Sequence, residues 1–373
     1  MDALSVVHVT EPVDGGVARC VLDYVRDQAG RGWDATVVSP PDPDFVQAVQ
    51  EAGARTVALD VRPRTAGDRP GRPHPVEVSR GTRLIRTLVR ERSPAVVHLH
   101  SSWAGLAGRL ALRGASPTFF QPHGWSFDAV GGRLRPVARL WERNAARWAT
   151  RILCVSELER ARGLAAGLDA RWEIVPNGVS VEAPAATAGE RAAARHSLGI
   201  DGEAPVAACV GRLSPVKGQD LLVSAWPRVR DAVPAAVLVL AGDGPDRAAL
   251  EAEAGEGVRF LGWPDDPRAV YDAADVVVVP SRSEGMSMTM LEAMARGRSI
   301  VSADVGGARE AIDEDAGAVV DAPDPRALAE ALAARLADPG LAEREGAAAR
   351  RRVETSYDVR RTAARVAELY RAV

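Results

Sequence analysis

The stretch PVAACVGRLSPVKGQDLLVSAWPRV, residues 205–229, decides how this chain is read. It opens on small and β-branched apolar residues without polar alternation, the pattern of a strand buried on both faces of a parallel sheet. It closes on an amphipathic stretch that predicts a helix. The loop between them, GRLSPVKG, holds the only lysine of the protein: of 47 basic residues, 46 are arginine. Doubly wound sheets bind ligands at the carboxyl ends of their strands, beside helix N-termini with unpaired amides. Arg212 and Lys217 at such an exit converge on a place suited to a pyrophosphate. A compact ammonium with rotatable donors can meet a single phosphate oxygen where a planar guanidinium does not fit. A solvated loop with two surface charges is the competing reading.

The same alternation runs through the chain. LSVVHVT, DATVVSP, RTVALDV, AVVHLH, PTFFQPHG, RILCVS and RWEIVPNG are candidate strands in the first half, and PVAACVGR, AAVLVLAGDG, VRFLGW, DVVVVPS, SIVSADVGG and GAVVDAPD in the second, with helical patterns between most of them. This is an α/β chain built twice, and 373 residues exceed what one core usually organises. The expected domains are 1–180 and 181–356, joined through VSVEAPAATAGE (179–190), with a last helix over 357–373 packing back on the first domain. RPRTAGDRPGRPHP (62–75) predicts a long loop of the kind that often carries function.

Composition excludes several classes. Apolar residues at 46% and charged residues at 26% are those of a soluble globular protein. MDALSVVHVT has no basic start and reads as a strand, and the apolar runs fall far short of the roughly 20 residues of a membrane helix. Cys20, Cys154 and Cys209 lack metal-ligand spacing, which suits reduced, buried thiols and a cytoplasmic location. Net charge is −3, but residues through Ser180 carry 24 basic and 19 acidic groups, a balance of +5, and the remainder 23 and 31, a balance of −8. The basic groups are not interleaved with stacking aromatics, so no nucleic-acid partner is expected.

A second strand exit carries SRSEGMSMTMLEAMARG (281–297). A helix is expected from about Ser287 to Arg296, closed by Gly297, with Glu284 in the loop before it and Glu292 roughly 8 Å along it at ~1.5 Å per residue. The spacing suits a ligand lying across the helix start, with sugar hydroxyls at one carboxylate and ribose hydroxyls at the other. An acid favouring the helix dipole and a solvent-facing residue would look the same. Asp42-Pro43-Asp44 and Asp313-Glu314-Asp315 read as surface acids, not as metal ligands. Arg135, Arg139, Arg143, Arg147 and Arg151 recur every four residues beside Leu140, Trp141 and Trp148, with Arg83, Arg86 and Arg90 as a second set. Such a helix over 135–151 either presents a solvated face or lies on an anionic membrane.

Taken together, GRLSPVKG, AGDGP, PSRSEGMSMTMLEAMARGRSIV and ADVGGARE resemble, in order and spacing, the second domain of GT-B glycosyltransferases of family 4. EPVDGGVARC, VVHLHSSWAG, QPHGWSF, CVSELE and VPNGV are similar to landmarks of that family's first domain, so the resemblance covers nearly the whole chain. It implies two Rossmann-like domains facing across a cleft. It also implies a sugar transferred with retention from a nucleotide diphosphate donor, UDP-linked by expectation, to an acceptor hydroxyl, without a metal or other cofactor.

By the same resemblance Arg212 and Lys217 match the diphosphate ligands, Glu292 the ribose acid, and Glu284 the acid on the donor sugar, with backbone amides from Gly285 through Met286 and Ser287 to Met288 against that sugar. His123 matches a histidine near the reacting carbon. Gly15 and Gly16 match paired glycines that let backbone approach the donor phosphate, though such a pair is also an ordinary turn. Asn177 falls in a donor-binding motif, and Trp125 and Asp128 are placed on the acceptor side. Met286 and Ser287 depart from the aromatic and small residue of many relatives, which loosens any inference about the donor sugar. A polysaccharide or lipid-linked intermediate, an inositol phosphate and an aminocyclitol are candidate acceptors, the lipid case placing the protein at the inner face of a membrane. A nucleotide-sugar 2-epimerase and a non-catalytic partner subunit are the alternative functions.

Overall fold

A computed structural model describes residues 3–61, 74–130, 132–200, 202–264, 266–321 and 324–373. Of the loop expected over 62–75, all but His74 and Pro75 lies outside the described residues. The chain forms two compact units, Met1–Asn177 with Arg360–Val373, and Gly178–Val359.

Among its described residues the first unit contains a sheet of seven strands: β1 (Ser5–Val9), β2 (Asp34–Ser39), β3 (Arg55–Ala58), β4 (Val96–His100), β5 (Thr118–Gln121), β6 (Arg151–Cys154) and β7 (Trp172–Ile174). All pair in parallel in the order β3-β2-β1-β4-β5-β6-β7. Because side chains alternate along a strand, Val7, Val9, Val97 and Leu99 enter one core. Val6 and Val96 enter another. This second core is covered by helices Gly15–Gly30 and Val359–Arg371, the latter contributing Ala363, Val366, Leu369 and Tyr370. By the same alternation His8, His98 and His100 lie on this helix-covered face, and all three are fully buried.

Among its described residues the second unit contains six parallel strands: β8 (Val206–Val210), β9 (Val237–Ala241), β10 (Val258–Gly262), β11 (Val276–Val279), β12 (Ser299–Ala303) and β13 (Gly317–Val320), in the order β10-β9-β8-β11-β12-β13. β11 is four consecutive valines, all buried, as a strand covered on both faces requires. Helix Gln219–Ala232 packs beside Pro325–Ala337, and Met288–Ala295 packs beside Pro339–Ser356. The strand order reverses between β8 and β11, the place where doubly wound folds open a crevice for ligands.

The arginine series over 135–151 is not one helix face. The helix is Leu134–Ala145; Arg147 lies in a short 3-10 turn, and Arg151 starts β6, where its guanidinium meets Glu173 at 2.5 Å. In the second set Arg86 is turned inward, donating to the carbonyls of Ala111 and Leu110. Asp42 caps helix Pro43–Glu51 by accepting from Phe45 N, and Asp313 pairs with Arg352. All three cysteines are buried and free. Among the described residues no helix is long and apolar enough to cross a membrane.

Candidate active site

Two strand-exit loops at the reversal point meet through one ion pair. Leaving β8, the chain passes Arg212 and makes a 3-10 turn over Pro215–Lys217 before helix Gln219–Ala232. Leaving β11, it passes Ser281 and Glu284 to the cap of helix Met288–Ala295, where Ser287 accepts from Met290 N at 3.3 Å. Lys217 Nζ donates to Glu284 Oε1 at 2.6 Å, and Ser281 Oγ donates to the same oxygen at 2.7 Å. Both donors fall on Oε1, which leaves Oε2 without a protein donor among the described residues. Burial disfavours the charge on Lys217, yet the Glu284 carboxylate more than offsets this and holds the ammonium above the ordinary lysine value. The side chains are 34% and 14% exposed, so the pair is reachable by a ligand.

Backbone contacts fix these loops. Gly218 has φ +71, and a Cβ there would stand 2.1 Å from the carbonyl oxygen of Pro280, so only glycine lets the two exits touch. A Cβ on Gly306, in the loop after β12, would stand 2.1 Å from Gly285 O, and Gly307 N donates to that same carbonyl at 2.7 Å. Arg282 holds Asp220 through two bonds of 2.7 and 2.6 Å and also donates to Pro215 O, stapling the β11 exit to the helix after β8. Gln219 Nε2 donates to Arg212 O at 2.8 Å. The Arg212 Nε is buried with no hydrogen-bond partner among the described residues.

Glu292 accepts from Tyr271 OH at 2.7 Å, and Thr289 at the helix start donates to Val210 O at the end of β8. Burial, then the Glu292 anion, pushes the Tyr271 phenol well above its usual range, so it stays a donor. Met286 and Ser287 are buried, and Glu284, Gly285, Met288 and Glu292 are partly exposed. Arg212, Lys217, Glu284, Gly285, Met286, Ser287, Met288 and Glu292 are therefore brought together at the exits of β8 and β11.

The remaining expected residues belong to the first unit. Gly15, with φ +67 and open space around it, and Gly16 are exposed at the start of the 16-residue helix that follows β1. Asn177 is buried at the unit's edge. His123 follows β5 in the left-handed region with φ +53, and burial pushes its imidazole down to about 3. Trp125 does not line a ligand face: it is 1% exposed, stacks on Phe127 and donates its indole N–H to Glu159 O at 2.7 Å. Asp128 is exposed and pairs with Arg135 and Arg162.

Sequence reasoning missed Ser281, Arg282, Asp220 and Tyr271, which orient the site, and Glu159, whose carboxylate accepts from Gly124 N at 2.6 Å and Val155 N at 2.8 Å and so holds the loop bearing His123. The capping pattern Ser156-x-x-Glu159 was the available signal.

Two parallel Rossmann-like sheets, with paired cations and carboxylates at a reversal point, define a GT-B glycosyltransferase. Residues 15–178 match the glycosyl transferase 4-like domain and residues 204–338 match glycosyl transferases group 1. A GDP-mannose-dependent alpha-(1-6)-phosphatidylinositol monomannoside mannosyltransferase of Mycolicibacterium smegmatis is 34% identical, covering 80% of this chain and 80% of that protein. A D-inositol 3-phosphate glycosyltransferase of Xylanimonas cellulosilytica is 31% identical over 93% of this chain and 91% of its own. Among solved structures, Anabaena Alr3699/HepE in complex with UDP and glucose superposes with a TM-score of 0.84 at 19% identity, covering 99% of this chain and 100% of that one. The chain belongs to the family 4 GT-B glycosyltransferases.

Proposed function

We propose that this protein transfers mannose from GDP-mannose, with retention at the anomeric carbon, to a hydroxyl of an acceptor bearing inositol phosphate. The observation that carries the reading is the contact of Lys217 with Glu284 at the β8 and β11 exits. Departure of a diphosphate concentrates negative charge, and preorganised cations and amides lower that barrier because they need no reorganisation when the charge appears. Arg212 and Lys217 take the diphosphate, and the N-terminus of helix Met288–Ala295 adds its dipole. Glu284 Oε2 takes a hydroxyl of the sugar, and Glu292, held by Tyr271, takes the ribose. The departing phosphate helps to deprotonate the acceptor, and no metal is required.

The proposed donor differs from the UDP sugar expected from sequence. The mycobacterial relative is named for GDP-mannose at an identity that carries function better than the UDP-bearing structure, whose 19% identity speaks for fold alone. Both relatives' names contain inositol and phosphate, one of them in a lipid. A lipid-borne acceptor is favoured by helix Leu134–Ala145, which exposes Val137 and Leu140 at 62% and 61% among the exposed Arg133, Arg135, Arg139 and Arg143.

The test is a mass-spectrometric assay of GDP-mannose, UDP-glucose and ADP-glucose against free inositol phosphate and against phosphatidylinositol in vesicles. GDP-mannose should give the highest kcat/KM, with transfer to the lipid. Faster transfer from UDP-glucose would overturn the donor, and transfer to free inositol phosphate alone would overturn the membrane surface. Conversion of a donor to its epimer without acceptor would overturn transfer itself.

A further inference from the structure

Behind His123 lies a row of imidazoles that the transfer chemistry described above does not use. His8 on β1 and His98 on β4 are register partners, and His100 follows two residues later on the same face. His8 Nε2 lies 3.0 Å from Gln28 Oε1, His8 Nδ1 lies 3.0 Å from His100 Nε2, and His100 Nδ1 lies 3.3 Å from His123 Nε2. The His100 and His123 rings are stacked at 5.6 Å. His98 stands beside the row, 4.0 Å from the His100 ring, with Nδ1 against Tyr370 OH, and Tyr24 packs over His98 and His100.

The row has a direction. A neutral imidazole donates from one nitrogen and accepts at the other. Gln28 Oε1 can only accept, so His8 carries its proton on Nε2 and accepts at Nδ1. His100 must then donate from Nε2 and accept at Nδ1, and His123 must donate from Nε2. Its Nδ1 is left bare. Burial lowers all four imidazoles, with His8 at about 4, so the row is neutral near pH 7.

His8, His98 and His100 also bring three ring nitrogens within 4.8 Å, close enough to suggest a metal. A cation there would need a lone pair from each ring, whereas His8 Nδ1 and His100 Nε2 already share a proton. It would also sit in a fully buried place with no carboxylate, among the described residues, hydrogen-bonded to these rings to offset its charge.

We propose that Gln28, His8 and His100 are positioning residues that fix His123 in its Nε2–H form and present bare Nδ1 as the acceptor for a substrate hydroxyl. The inference rests on the reading of His123 as the histidine beside the donor sugar, but its first test does not need turnover. Imidazole nitrogen NMR on the full chain at pH 7 should show His123 protonated at Nε2 and bare at Nδ1. The opposite tautomer, an imidazolium, or a stoichiometric transition metal found by elemental analysis would overturn it. In His100→Phe the His123 tautomers should mix, and kcat should fall about 10- to 100-fold with donor KM little changed. His100→Asn, which keeps an acceptor near the Nδ1 position, should restore the single tautomer and much of the rate. Should His100→Phe not fold, Gln28→Leu should produce the same mixing from two residues further away, and an unmixed His123 in that variant would overturn the proposal. A single Nε2–H tautomer in a protein that turns over no nucleotide sugar would leave the relay standing and sink only the activity.

Discussion

Lys217 Nζ stands 2.6 Å from Glu284 Oε1, although 67 residues of chain separate them. The pair joins the exit of β8 to the exit of β11, and the carboxylate holds the ammonium above the ordinary lysine value. In the proposed reaction a donor diphosphate would compete with Glu284 for Lys217, and the carboxylate so released would turn to the sugar.

Lys217→Ala should lower kcat by about 10²- to 10³-fold, the usual cost of removing one preorganised donor from developing charge, with the unfolding midpoint little changed. Lys217→Arg should rescue poorly, because a planar fork cannot take the place of a rotatable ammonium on the Glu284 oxygen that Ser281 also shares. Release of nucleotide diphosphate measures both.

Gly218→Ala should cost about 1–3 kcal/mol for the left-handed backbone alone, and more because its Cβ would meet Pro280 O. Both the melting temperature and donor binding should suffer, since the clash pushes apart the loops that carry Lys217 and Glu284. Calorimetry and donor titration on the same preparation separate the two effects.

The face of helix Leu134–Ala145 turned inward holds a different kind of charge. Arg109 and Glu142 are 0% and 1% exposed, paired at 2.7 Å, and Glu142 also accepts from Ser126. Glu142→Leu should cost about 3–5 kcal/mol by stranding the guanidinium, whereas Arg109→Met with Glu142→Leu should be close to neutral. Chemical denaturation of the two variants checks this.

Acid should destabilise the first unit. The His8 imidazole is pushed from 6.5 to about 4, so between those values the unfolded chain takes up protons that the folded chain refuses, and stability falls as pH falls. Glu159 acts oppositely: burial raises its carboxyl to about 7, so its contribution is full below 4.5 and is lost as pH rises toward 7. Melting temperatures from pH 4 to 8 should show His8→Gln flattening the acid limb and Glu159→Gln steepening it.

The strands were legible because runs such as Val276–Val279 have no polar alternation, and helix Met288–Ala295 because Ser287 and Gly297 bracket it. Lys217 stood out by its rarity. Glu284 was read from its own strand exit, but its pairing with Lys217 was not, because nothing local links the β8 exit to Glu284, and the Arg282–Asp220 staple was hidden for the same reason. His8, His98 and His100 look like ordinary strand residues until register sets His8 beside His98. The arginine repeat misled because its period ignored the end of the helix at Ala145, after which Arg151 enters a strand. Trp125 misled because nearness to His123 in sequence says nothing of which way an indole turns.

The most direct measurement is a crystal structure with GDP-mannose or GDP bound. Lys217 Nζ and the Arg212 guanidinium should each lie at ~3 Å from diphosphate oxygens, with the Glu292 carboxylate at the ribose. A nucleotide seated away from the β8 and β11 exits, with Lys217 still bound only to Glu284, would contradict the account.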